Sequence, residues 1–227
     1  MSGLPSFDLA LLAWVSPAYP VGAYAYSHGL EWAVETGDVT NAESLGDWIG
    51  QILRTGSGLN DAIFFASAWR ACRDDDKSLA RVAELAVAFA APLERRLETL
   101  QQGSAFLNAT RAAWPAPRLD DFVREISENN VYPICFAAAV AAHGMAMRPA
   151  LEAYLCSFAS NLVSAAVRMN VLGQTEGQKV IARLQAVAIQ TAAIAEHASL
   201  DVLGGHALRA DMAAFHHETQ NARLFRS

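Results

Sequence analysis

The chain has 227 residues, 53% of them hydrophobic and 18% charged, and its 17 Lys and Arg against 23 Asp and Glu leave a formal net charge of -6. With a pI near 5.5 and no long basic run, it lacks the clustered positive charge that binding to a nucleic-acid backbone or an anionic membrane surface requires. A chain this apolar is globular rather than disordered, and at about 150 residues per domain one compact domain is expected.

Apolar residues recur at helical spacing almost throughout. They predict about ten helices, near 7–15, 27–36, 41–54, 60–73, 77–90, 92–113, 119–129, 133–146, 149–172 and 176–198. No segment alternates apolar and polar residues over strand length, so the expected class is all-α, a single-domain helical bundle with no sheet. Thr40-Asn41-Ala42-Glu43 and Thr175-Glu176-Gly177-Gln178 have the spacing of capping boxes. Pro92, Pro133 and Pro149 suit first turns, where the missing amide hydrogen costs nothing. Asp74-Asp75-Asp76 and Trp114-Pro115-Ala116-Pro117 read as short connectors. Leu151, Tyr154, Leu155, Phe158, Leu162, Ala165, Ala166 and Met169 form one inward stripe.

The start, Met1 to Asp8, has no basic segment followed by an apolar one, so no leader is expected. The apolar run Val131 to Met147 holds Pro133 and His143 and is shorter than the roughly 20 residues a bilayer requires. Cys72, Cys135 and Cys156 are odd in number, widely spaced and set among apolar neighbours; they read as reduced thiols, mostly buried, in a cytoplasmic protein.

Several chemistries are missing. Gly177-Gln178-Lys179 lacks the glycine spacing and the hydroxyl of a phosphate loop; HExxH, the paired Glu-x-x-His of di-iron bundles and GxSxG do not occur either. No catalytic residue is expected, and an all-α chain of this kind reads as a binding protein rather than an enzyme.

Some residues still stand out. The segment from Ser16 to Glu31 contains Pro17, Pro20, Gly22, Tyr24, Tyr26, Ser27 and His28. Its prolines and glycines fix an irregular path, and its tyrosines suit an interface that is dry at one end and wet at the other. The alternative is a loop folded over its own core. His216 and His217, beside Glu218, offer ligand types suited to nickel, against the reading of an exposed, uncoordinated pair. His143 is expected to be a hydrogen-bonded core histidine, and Glu94-Arg95-Arg96-Leu97-Glu98 a solvated face with local ion pairs. From about Ser199 the pattern changes: Gly204-Gly205 interrupt it, and His216 to Ser227 are mostly polar and are expected to bury little of themselves.

Four blocks together resemble the UreF family of urease accessory proteins: Ser16 to Glu31; Thr99-Leu100-Gln101-Gln102-Gly103; Gly173-Gln174-Thr175-Glu176-Gly177-Gln178; and His217-Glu218-Thr219-Gln220 with Arg223-Leu224-Phe225-Arg226-Ser227. The resemblance runs along nearly the whole chain in the family's order. The chain departs from the family's usual PVGGFSYS, reading Ala23, Tyr24 and Ala25 after Gly22, and has Ser104 where an arginine commonly follows Gln-Gly.

The resemblance implies a cytoplasmic, non-catalytic homodimer that assembles with a UreD/UreH-type subunit, a UreG-type GTPase and the urease apoprotein. In that reading nickel passes in transit, with no firmly bound cofactor, and neither nucleic acid nor membrane is a partner. Residues 1–198 form the helical body and 199–227 a docking tail of the same domain. His217, Glu218, Thr219, Gln220, Arg223, Leu224, Phe225, Arg226 and Ser227 then face the UreD/UreH-type subunit, with Leu224 and Phe225 as apolar anchors and the arginines as multidentate donors. Gln102, Gly103, Gly173, Gln174, Gly177 and Gln178 are structural or interface positions. Direct nickel binding by His216 or His217 is the alternative within the same reading.

Overall fold

A computed structural model describes residues 9–74, 78–205 and 207–227. Among the described residues the chain forms eleven α-helices and two 3-10 turns, with no strand, so the expected all-α class holds. The helices are α1 (Leu9–Trp14), α2 (Leu30–Glu35), α3 (Ala42–Thr55), α4 (Ser57–Asp74), α5 (Leu79–Phe89), α6 (Leu93–Ala113), α7 (Pro117–Ile126), α8 (Tyr132–Ala142), α9 (Met147–Arg168), α10 (Gln174–Ala195) and α11 (Leu208–His217). The first ten overlap the predicted helices, and α11 lies in the segment read as a tail. Residues 7 and 8 of the first predicted helix, Asp75 and Asp76 of the acidic connector, and residue 77 at the start of the fifth predicted helix fall outside the described residues.

Helix α8 sits at the centre, packed by α4, α6, α7 and α9. Every residue from Pro133 to Ala141 is buried, as befits a helix that is apolar all round. An aromatic cluster joins α1, α6 and α8: Trp14 stands edge-on to Phe106 (5.7 Å between ring centres) and Phe136 (5.9 Å), while Phe106 and Phe136 stack at 5.0 Å. His143 is the core histidine expected. Its Nδ1 lies 2.8 Å from the Ala139 carbonyl and its Nε2 3.2 Å from that of Trp114. Cys72 and Cys135 are buried, and Cys156 is half-buried.

Helix α9 is long and apolar enough to cross a membrane, but here it is a core helix, packed along α10 and against α2, α3, α4 and α8. Gly177 makes the α9–α10 approach close: a Cβ there would lie 3.2 Å from Val163. Gly103 does the same between α6 and the entry to α8, where a Cβ would fall 1.8 Å from the Asn130 carbonyl oxygen.

Two predicted caps differ. Helix α3 is capped one residue later than expected: Asn41 Oδ1 accepts from the Glu43 (2.9 Å) and Ser44 (3.0 Å) amides, and Ser44 Oγ accepts from the Asn41 amide. Asparagine is the better cap, and Ser44 closes the box that Glu43 was expected to close. Helix α10 begins after Gly173, whose carbonyl takes the Gly177 amide at 2.9 Å, so Thr175 and Gln178 lie inside the helix and form no box. Pro117, read as part of a connector, instead opens α7.

Candidate partner-docking site

The loop between α1 and α2 owes its path to three left-handed residues, Gly22 (φ 74°), His28 (φ 56°) and Gly29 (φ 73°). At Gly29 a Cβ would lie 2.6 Å from the Ala214 amide nitrogen, so glycine lets the start of α2 press on the α11 backbone. Tyr26 is buried, and its hydroxyl donates to Gln101 Oε1 at 2.6 Å; Tyr24 is 69% exposed, and Pro17 and Pro20 also face outward. Ala23 and Ala25 contribute through their main-chain oxygens, which accept from Asn161 Nδ2 (2.9 Å) and the Arg226 amide (2.8 Å). These contacts are independent of the side chains in which the chain departs from the family pattern.

The stretch Glu94 to Glu98 is not the solvated face expected. Glu98 is only 1% exposed, and the Arg95 side chain is largely covered. Arg95, Glu98, Thr99, Gln102, Phe106 and Thr110 form one stripe at three- and four-residue spacing, which turns the polar end of α6 inward beneath the loop. Arg95 donates to His28 Nε2 at 2.7 Å, while His28 Nδ1 lies 3.0 Å from Glu98 Oε1. Gln102 Nε2 donates to the same carboxylate oxygen at 2.9 Å, and Asp61 lies 3.6 Å from Arg95.

Burial disfavours the charge of Glu98, but His28 and Arg95 beside it, and hydrogen bonds from His28 and Ser227, outweigh burial and hold its carboxyl below the usual range. For Asp61 burial wins over the Arg95 guanidinium, and its carboxyl is pushed up. His28, Asp61, Arg95 and Thr99 line both a cavity of about 250 Å³, with Asp211 and Phe215 at its far side, and a smaller one of about 40 Å³ beneath the loop.

The tail closes over these groups and buries more of itself than its composition suggested. From Arg223 to Ser227 burial alternates once the chain turns inward: Leu224 exposed, Phe225 buried, Arg226 exposed, Ser227 buried. Glu31 accepts the Leu224 amide at 2.6 Å and the Phe225 amide at 2.9 Å. Ser227 Oγ donates to Glu98 at 2.8 Å, and the Ser227 main-chain oxygen accepts from both the amide (2.6 Å) and the hydroxyl of Ser27. Arg223 pairs with Glu94, Gln220 donates to Glu35, and the Arg168 guanidinium lies 4.5 Å from the centre of the Phe225 ring. Glu218 accepts weakly from the Glu94 amide at 3.4 Å, while Thr219 donates to the His216 carbonyl.

His217 is fully buried, its Nδ1 2.7 Å from Glu94 and its Nε2 3.2 Å from Glu31. His216 is exposed and stacks on Trp32 with ring centres 5.1 Å apart. Among the described residues no group of three or more His, Cys, Asp or Glu is placed to hold a metal ion.

Three of the four sequence blocks therefore meet in one place: the loop, the polar end of α6 and the tail. Gly173, Gln174 and Gln178 sit exposed at the α9–α10 turn, which follows Arg168. Asp61, Asn161 and Arg168 belong to the site although sequence reasoning did not single them out, and Glu94, Arg95 and Glu98 belong to it although they were read as a solvated face. The spacing of Arg95, Glu98 and Gln102 on the face that continues to Phe106 was the available signal.

A family model described as UreF matches residues 39–185. The chain is 50% identical over 224 residues to the urease accessory protein UreF of Xanthobacter autotrophicus, covering 96% of this chain and 90% of that one. It is 47% identical over 218 residues to the protein of the same name from Bradyrhizobium diazoefficiens, covering 96% and 90%, and 47% over 220 residues to that of Methylorubrum populi, covering 96% and 98%. This chain belongs to the UreF family. UreF proteins are urease accessory proteins that act in urease maturation and are non-catalytic. The UreF model match stops short of the loop and the tail, whereas the UreF relatives align over nearly the whole chain, including most of the site just described.

Proposed function

We propose that this protein is a cytoplasmic, homodimeric scaffold that joins a UreD/UreH-type subunit to a UreG-type GTPase and, with them, to apo-urease, so that the nucleotide state of the GTPase is coupled to nickel delivery. The observation that carries this reading is the convergence of loop, α6 and tail on one surface, which presents Tyr24, Leu224 (64% exposed) and Arg226 outward above a buried polar network. Tyrosine and arginine are among the residue types that dominate binding energy at protein interfaces, and an exposed leucine adds apolar area. Coupling follows if the two nucleotide states of the GTPase bind the scaffold with different affinities. Nickel is cargo in this reading, and His217 serves to hold the tail.

The test is co-purification of the full chain with UreD/UreH-type and UreG-type proteins, with and without GTP, read as mass by light scattering. A defined, nucleotide-sensitive complex that requires residues 223–227 is expected. A chain ending at Ala222 that binds the UreD/UreH-type subunit as well as the full chain does would overturn the docking role of the tail.

A further inference from the structure

Within the tail, the side chains divide by direction. Phe225 and Ser227 point into the body, under Arg168 and onto Glu98, while Leu224 points out; Arg226 is exposed, but its side chain turns back to bond Tyr26. The chain bends at Leu224 and Phe225, and the bend is what turns one apolar side chain in and the other out.

Glu31 holds that bend through the backbone. Its side chain is 12% exposed, and its two oxygens take successive main-chain amides, Leu224 at 2.6 Å and Phe225 at 2.9 Å, while His217 Nε2 approaches the second oxygen at 3.2 Å. Two adjacent amides directed at one carboxylate hold the chain in that bend. His217 closes the last turn of α11, so the same carboxylate also ties the tail to the helix from which it departs. Glu94 holds His217 Nδ1 and Arg223 from the other side.

We propose that Glu31 is the positioning residue of the docking surface. It reads no partner itself; it holds the bend of the tail so that Leu224, not Phe225, is offered to the UreD/UreH-type subunit. This rests on the tail-docking reading above. It assigns the two apolar tail residues different work, Phe225 holding the tail to its own body and Leu224 meeting the partner.

The experiment is a two-by-two comparison in otherwise full-length protein: wild type, Glu31→Gln, the chain ending at Ala222, and both changes together. Dissociation constants for the purified UreD/UreH-type subunit are measured by calorimetry, and amide exchange at Leu224 and Phe225 is followed in the two full-length forms. Glu31→Gln keeps the shape but removes the charge and one acceptor, so binding is expected to weaken about tenfold, with faster exchange at both amides and an unchanged helical circular dichroism signal. In the truncated chain the same substitution is expected to change nothing, because there is no tail left to position. Leu224→Ala should weaken binding while leaving exchange at Phe225 slow.

If truncation itself leaves binding intact, the docking reading fails and this inference fails with it. If truncation weakens binding but Glu31→Gln does not, docking stands and the positioning role is wrong. If Glu31→Gln weakens the truncated chain as much as the full one, Glu31 acts outside the tail and the proposal is overturned.

Discussion

Burial and pairing pull in opposite directions at Glu98. Its carboxyl is held below its ordinary value of 4.5 because His28, Arg95 and Ser227 together outweigh desolvation. A lowered carboxyl contributes stability that is complete above the ordinary value and is lost as pH falls through the folded one. Glu98→Gln should therefore cost about 3 kcal/mol at neutral pH, since it leaves Arg95 buried without its nearest carboxylate, and the gap from wild type should narrow below about pH 4.5 in urea titrations. Asp61, pushed up from 3.8, acts with the opposite sign, and because the Glu98 charge helps to push it up, the substitution also relaxes Asp61. Tyr24 and Tyr26 make a second contrast. Taken from the sequence they form a pair, yet the 3-10 turn that carries Tyr24 ends just before Tyr26 and points them apart. Tyr26→Ala should lower stability by about 3 kcal/mol, whereas Tyr24→Ala should stay within about 0.5 kcal/mol in the same titration and weaken partner binding instead.

Among the elements, the ten predicted helices were legible because their apolar residues recur at helical spacing over ten residues or more in most cases. Helix α11 was not. Its inward face consists of Ala213 and His217, while Leu208, Met212 and Phe215 point outward, so its apolar residues mark the wrong side. The tail escaped for a related reason: its burial comes from main-chain amides and hydroxyls meeting carboxylates, and composition does not report such bonds. Phe225 is the buried apolar side chain of the last five residues. Phe225→Ala should free the tail without melting the helices, seen as faster amide exchange at Arg226, which donates to the Ala25 carbonyl, beside an unchanged far-UV spectrum.

For the whole molecule, the fold class followed from periodicity, while the site depended on three blocks far apart in sequence whose meeting no local pattern encodes. The formal charge of -6 likewise hides its arrangement. Glu31, Glu35, Glu94 and Glu98 form an acidic cradle on the body, and the segment they receive carries His217, Arg223 and a row of amide donors. The charges read from the sequence as solvated helix surface are in part the seat of residues 220–227.

The bond between Ser27 and Ser227 spans two hundred residues. Closing so long a loop is entropically unfavourable until the helices between are packed, so this contact belongs to the end of folding. The loop is made two hundred residues before Ser227, so its seat stays open until that residue is available. A copy clipped before Arg223 is expected to keep most of the fold but to lose the face proposed above for docking.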